Sequence, residues 1–237
     1  MKAPRGQNFL YQPAWLDRVA AAIGPADTLI EIGGGPGNLT SRLARQTRQL
    51  LVIESDRALA AGLAAAGYDV RAGDVLTMDL TALANGARVR VAGNLPYYIT
   101  SPILLHLFHH AAAITDATVM VQREVADRLA AVPATRAFGL LTATAQFYAP
   151  RISRLLEVPP GAFRPRPKVS STLVRLEFAP QAAALGVDEA GFMQFLRRAF
   201  AQKRKQLGPR LGLAGLQARA ESLSLAELAA LYHRLRG

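Results

Sequence analysis

Between residues 28 and 131, short apolar runs alternate with amphipathic stretches, and no other feature restricts the fold of this chain as much. The runs predict strands over 28–32, 49–53, 69–71, 88–92 and 117–121. The stretches between them predict helices over 39–45, 57–66, 102–110 and 123–131. Such a βαβα order calls for an α/β architecture, a mostly parallel sheet covered by helices on both faces. A helix over 15–23 comes first, apolar at 15, 16, 19, 20 and 23 and stopped by Gly24-Pro25. Downstream, a helix over 138–148 precedes two β segments, 151–158 and 171–178, on either side of a proline-rich loop. These are expected to close one sheet edge as an antiparallel pair. Composition changes near Pro180, after which 188–200 and 224–235 read as helices, the second with Ser224 as N-cap and Glu227 completing a capping box. The expected organisation is one domain over 1–179, including an N-terminal arm over 1–11, and a small α-helical domain over 180–237.

Residue usage narrows the function. In 237 residues, 51% apolar and 19% charged content supplies a packed core and argues against disorder. The absence of cysteine excludes disulfides, thiolate zinc sites and a cysteine nucleophile. Basic residues outnumber acidic ones 28 to 17, an excess that points to a polyanionic partner, nucleic acid first. The excess is steepest in 179–237, with nine basic and four acidic residues. Six of those cations, Arg197, Arg198, Lys203, Arg204, Lys205 and Arg210, occur with no acid among them, and phosphate contact is their natural use. Met1 runs into Lys2-Ala3-Pro4-Arg5 without an apolar leader, and no run of about 18 apolar residues occurs. A cytoplasmic location away from membranes is expected.

The first predicted strand runs into Gly33-Gly34-Gly35-Pro36-Gly37-Asn38-Leu39-Thr40, a glycine-rich turn where backbone approaches a ligand closely. It lacks the third glycine of a dinucleotide fingerprint and the Lys-Ser/Thr of a P-loop, so pyrophosphate is not its obvious ligand. Glu54 ends the next strand, 21 residues after Gly33, where an acid meets ribose hydroxyls. Asp74 follows the third strand, also at its C-terminal end, where a carboxylate can accept from an adenine amino group. A lone strand-end acid is ordinarily a solvated loop residue; two in register with a glycine loop imply a nucleoside. Ribose and adenine recognition without phosphate machinery suits S-adenosylmethionine better than NAD or ATP.

After the fourth strand comes Asn94-Leu95-Pro96-Tyr97. An exocyclic adenine nitrogen is a poor nucleophile because its lone pair is delocalised into the ring, so methylating it needs acceptors that draw the amino group toward tetrahedral geometry. The Asn94 side-chain oxygen and the carbonyl of Leu95 or Pro96 could supply them. Pro96 restricts Leu95 and helps aim carbonyls, and Tyr97 offers a face for an extruded base. Catalysis of this kind is mostly positioning and polarisation. His106, His109 and His110 cluster without a fourth ligand, so no metal is expected.

These motifs occur in a fixed order. They are Gly6-Gln7-Asn8-Phe9-Leu10, Glu31-Ile32-Gly33 through Thr40, Ile53-Glu54-Ser55-Asp56, Gly73-Asp74, Gly93-Asn94-Leu95-Pro96-Tyr97, Gln122-Arg123-Glu124-Val125, and Val158-Pro159-Pro160-Gly161-Ala162-Phe163 with Pro165, Pro167-Lys168-Val169 and Ser171. Over about residues 4–205 the chain resembles the rRNA adenine N6,N6-dimethyltransferases, among them the small-subunit (KsgA/RsmA-type) 16S rRNA dimethyladenosine transferases. The resemblance implies a Rossmann-like class I methyltransferase domain with a C-terminal helical domain, S-adenosyl-L-methionine as methyl donor and no metal. It implies dimethylation of two adjacent adenines in a hairpin loop near the 3′ end of 16S rRNA, within an assembling small ribosomal subunit. By that likeness Asn8 and Leu10 would line the methionine side of the cofactor, with Gln7, Gly33 and Gly35 around it. Glu54 would hold the ribose, Asp74 the adenine amino group, and Asn94 both cofactor and target amine. Phe163 would stack on the target adenine opposite Tyr97.

The chain departs from the family's pattern in having Gly34 where proline is usual, Tyr98 where Asn is frequent, and Gln206-Leu207-Gly208-Pro209 after the basic run. Net charge disfavours a small-molecule methyltransferase and the proline-rich Phe163 loop a DNA methyltransferase, and two nearer readings remain. One is a macrolide-resistance-type (Erm) 23S rRNA methyltransferase, which Leu95 disfavours; the other is a ribosome-assembly factor without catalysis, which the intact site disfavours. A monomer is expected.

Overall fold

The computed structural model describes residues 7–202, 205–213 and 216–236. The chain divides into two compact units, one of residues 1–126 with 153–178, the other of 127–152 with 179–237. In chain order the first elements are β1 (Phe9–Leu10), α1 (Pro13–Ile23), β2 (Ala26–Ile32), α2 (Thr40–Leu43), β3 (Thr47–Glu54), α3 (Arg57–Ala65), β4 (Asp69–Ala72), α4 (Leu80–Leu83), β5 (Val89–Asn94), α5 (Thr100–His109) and β6 (Ile114–Gln122). Then come α6 (Arg123–Leu129), α7 (Leu140–Tyr148), β7 (Arg151–Val158), β8 (Phe163–Arg164) and β9 (Ser171–Glu177).

Seven strands form one sheet in the order β4-β3-β2-β5-β6-β9-β7. The pairs from β4 to β6 are parallel, and β9 runs antiparallel to β6, with Val119 opposite Val174. Consecutive residues of the central strands are buried, Ile30 with Glu31 and Ile32, Val119 with Met120 and Val121. Since neighbouring side chains point to opposite faces, both faces of the sheet are covered. The sequence expectation of a mostly parallel α/β sheet with an antiparallel addition at one edge therefore holds. Its helix over 39–45 shortens to Thr40–Leu43. Helix α1 turns Leu16, Val19, Ala20 and Ile23 inward, and Asp56 caps α3 by accepting from the Ala58 and Leu59 amides.

The chain winds outward from β2 to β4 and then returns to lay β5 on the other side of β2. Open α/β sheets bind ligands at this reversal, beyond the strands' C-terminal ends. Gly93 permits it: a Cβ there would lie 2.4 Å from the Ile32 carbonyl oxygen. A separate two-stranded ribbon pairs β1 with β8, Phe9 opposite Arg164 and Leu10 opposite Phe163. Strands this short carry no periodic signal in the sequence.

The second unit contains α7, α8 (Ala182–Leu185), α9 (Glu189–Phe200), α10 (Gly208–Leu211) and α11 (Leu225–Arg234). Its core is aromatic, with ring centroids of Phe192 5.5 Å from both Phe147 and Tyr232 and 5.9 Å from Phe195. The capping box of α11 forms as expected, the Glu227 carboxylate accepting from the Ser224 amide at 2.8 Å. The sequence-based boundary at 179/180 needs correction, because residues 127–152 group with the C-terminal helices. Tyr148 donates to Glu189 at 2.8 Å, and Phe147 packs on Phe192; these partners lie more than forty residues away, beyond the reach of a local reading. Among the described residues, no helix is long and apolar enough to cross a membrane.

Candidate functional site

Gln7, Asn8, Phe9, Gly33, Glu54, Ser55, Asn94, Leu95, Pro96 and Tyr97 line one cavity at the β2/β5 reversal. A second cavity, lined in part by Leu10, Glu31, Gly34, Pro36 and Asn38, shares Phe9, Gly33 and Asn94 with it. The glycine turn makes this space. Gly33 sits at φ +77° with its amide bonded to the Ile53 carbonyl, and Gly35 at φ +55°, where a Cβ would lie 2.9 Å from the Phe9 ring. At Gly34, Val52 and Leu63 fill the space a side chain would take.

Glu54 is buried, its Oε2 accepting from the Gly35 amide at 2.8 Å and its Oε1 from the Asp56 amide at 2.9 Å. A carboxylate offers about four acceptor positions, so each oxygen keeps one for a ligand hydroxyl. Asn94 ends β5, and its side-chain amide donates to the Asn8 main-chain carbonyl at 2.7 Å. The Asn38 amide likewise donates to the Leu10 carbonyl at 3.0 Å, fastening the N-terminal arm to the glycine turn.

The tetrapeptide after β5 is fixed from several sides. The Leu95 amide bonds to the Met120 carbonyl, while the Pro96 carbonyl accepts from both the Ile99 amide and the Thr100 hydroxyl. Of the two carbonyls open to the sequence reading, Pro96 is thus already engaged and Leu95 is the one left for a ligand. Tyr97 Oη shares a 2.6 Å hydrogen bond with Ser171 Oγ. Burial raises the Tyr97 pKa, with the Ser171 bond acting against it, so the phenol stays neutral.

Glu31 is 1% exposed, and burial pushes its carboxyl up to about 7. The nearby Thr40 hydroxyl pulls it down, although neither Glu31 Oε2 nor Thr40 Oγ1 has a hydrogen-bond partner of normal geometry; the Glu54 charge adds to the rise. Gln7 Oε1 is also buried without a partner. Glu31, Asn38 and Ser171 stand in the sequence motifs with no role assigned to them at the site. The usable signal for Glu31 was an acid between isoleucines in a strand.

Two of the expected site residues lie apart from this wall. Asp74 is exposed and is not on the wall shared by Glu54 and Asn94; its carboxylate accepts from the Leu76 amide and caps a short turn. Phe163 is 1% exposed and packs in the apolar cluster with Leu10, Leu16 and Leu173, so its face is not open to a base opposite Tyr97. The pairing of β8 with β1 turns this ring inward. Among the basic residues, Arg197 and Arg198 are exposed on the last turn of α9, and exposed Lys205 lines a cleft of the second unit with Arg136. Lys203, Arg204 and the Arg210 side chain lie outside the described residues. His106 Nε2 faces the Met78 carbonyl and His110 Nδ1 the Thr81 hydroxyl; no group of three or more potential metal ligands occurs among the described residues.

The profile of the family described as Ribosomal RNA adenine dimethylase matches residues 1–230. A protein named Ribosomal RNA small subunit methyltransferase A from Acidobacterium capsulatum is 47% identical, covering 99% of this chain and 91% of its own. One of the same name from Koribacter versatilis is 42% identical over 99% of this chain and 94% of its own. Among solved structures, a dimethyladenosine transferase from Plasmodium falciparum superposes with a TM-score of 0.80 at 22% identity, covering 96% of this chain and 98% of that one. The 23S rRNA methyltransferase ErmE does so at 0.72 and 23% identity, covering 97% and 100%; at such identities these two likenesses speak to the fold alone.

Proposed function

Because the chain belongs to the ribosomal RNA adenine dimethylase family, we propose that it transfers methyl groups from S-adenosylmethionine to N6 of two adjacent adenines near the 3′ end of 16S rRNA, in the assembling small subunit. The name shared by the relatives supports the small-subunit substrate. The cavity suits the cofactor: a glycine turn admits it, Glu54 keeps acceptor positions for ribose hydroxyls, and the unpartnered Gln7 Oε1 and Glu31 Oε2 suit the ammonium of a methionine moiety. Asn8 and Leu10 contribute the arm beside it. When bound, the cofactor supplies an electrophilic methyl group on sulfur.

One observation carries the reading. The Asn94 amide nitrogen is committed to the Asn8 carbonyl, which leaves its oxygen as an acceptor, and Asn94, Leu95 and Glu54 line the same cavity. Two acceptors fixed beforehand draw on the amino hydrogens of an adenine and localise the nitrogen lone pair without a general base. Tyr97, neutral and tied to Ser171, presents a ring for the base. The exposed cations of α9 and Lys205 suit RNA phosphates. Labelled methyl transfer to undermethylated small subunits, followed by nucleoside analysis, tests the proposal. Dimethyladenosine in 16S rRNA is expected, and label confined to large subunits would overturn it.

A further inference from the structure

The loop joining β8 to β9 carries a cation at every second position, Arg164, Arg166 and Lys168, all exposed, and the chain has no acid from Val158 to Leu176. Both ends of this loop are anchored, the second of them on the site residue Tyr97. Phe163 is buried in β8; Ser171 at the start of β9 holds Tyr97 Oη, and the Ser170 carbonyl accepts from the Arg123 amide. Pro165 and Pro167 stiffen the path between them. Arg164 is occupied, its guanidinium 4.2 Å from the centre of the Tyr11 ring. Arg166 and Lys168 have no ion-pair partner among the described residues. Next to Tyr97, the Tyr98 ring is 63% exposed.

We propose that this loop is a phosphate grip for the substrate strand, with Arg166 and Lys168 contacting the phosphates that flank the adenine in the site. The assignment rests on the RNA methyltransferase reading. A base extruded into a cavity brings its own two phosphates to the rim, where they meet the loop's charges, and exposed Tyr98 offers a stacking face to an adjoining base. A loop stiffened by two prolines loses little freedom on binding. Contacts of this kind set register and affinity without reading sequence.

The test is the double variant Arg166→Gln, Lys168→Gln, compared with the wild-type protein in binding undermethylated small subunits and a short single-stranded RNA with two adjacent adenines, over a salt series. Loss of two phosphate contacts shrinks the slope of log affinity against log salt by about 1.4, at about 0.7 per contact on a single strand. The KM for subunits is expected to rise roughly tenfold while kcat and S-adenosylmethionine affinity hold. Arg166→Lys, with Lys168 kept, retains the wild-type slope. An unchanged slope and KM in the double variant overturns the proposal. Loop-dependent RNA binding by a protein that transfers no methyl would instead sink the methyltransferase reading and leave the grip standing.

Discussion

The Asn94 side-chain amide donates to the main-chain carbonyl of Asn8 at 2.7 Å, so a residue at the end of the fifth strand takes its orientation from the N-terminal arm. Asn94→Ala removes a pre-aimed acceptor and is expected to lower kcat by roughly 100-fold. Asn94→Asp is expected to do no better, since a carboxylate has no hydrogen to give the Asn8 carbonyl and would be turned away from it. Single-turnover methyl transfer to saturating small subunits measures both.

Glu54 receives two main-chain amides, and Glu54→Gln sets an NH2 group against one of them. The mismatch is expected to weaken S-adenosylmethionine binding at least tenfold and to destabilise the fold by about 1–3 kcal/mol. Calorimetric titration and denaturant unfolding report the two effects separately.

Tyr97 and Ser171 form a pair that can be taken apart. Tyr97→Phe and Ser171→Ala each remove the 2.6 Å bond, and each is expected to destabilise by about 1 kcal/mol, while the double variant adds little more. Methylation is expected to survive Tyr97→Phe, which keeps the ring, far better than Tyr97→Ala. A strictly additive cycle would mean that the bond contributes nothing.

Glu31 gives a pH signature. Burial raises its pKa from 4.5 to about 7 in the folded protein, so the native state holds a proton that the unfolded chain releases between those values. Stability is therefore lost as pH rises from about 4.5 to 7, by up to roughly 3 kcal/mol, and no such penalty exists below 4.5. Glu31→Gln abolishes this component. The variant's melting temperature is expected to gain on wild type between pH 5 and pH 8, and parallel pH profiles would contradict it.

Much of this arrangement was written locally. Alternating apolar runs marked the parallel strands, and Gly33, Glu54 and Asn94 stood at the ends of strands that the sheet brings side by side at its reversal. Long-range pairings were hidden. Phe163 looked like a stacking ring, but its pairing with the Leu10 strand faces it into the core, and one oxygen of Asp74 caps the turn that follows it. The preference for the Leu95 carbonyl over Pro96 depended on Thr100, whose hydroxyl direction no spacing rule supplies. Phe147 could be placed with the C-terminal helices only through Phe192, far along the chain.

The ribbon of β1 and β8 also bears on how each copy of this enzyme matures. The Gln12 side chain reaches the Gly161 carbonyl across 149 positions of sequence, and the arm bearing Gln7, Asn8 and Phe9 is held in place from that far side. A nascent chain lacks this clasp until Arg164 has left the exit tunnel of the ribosome that is making it.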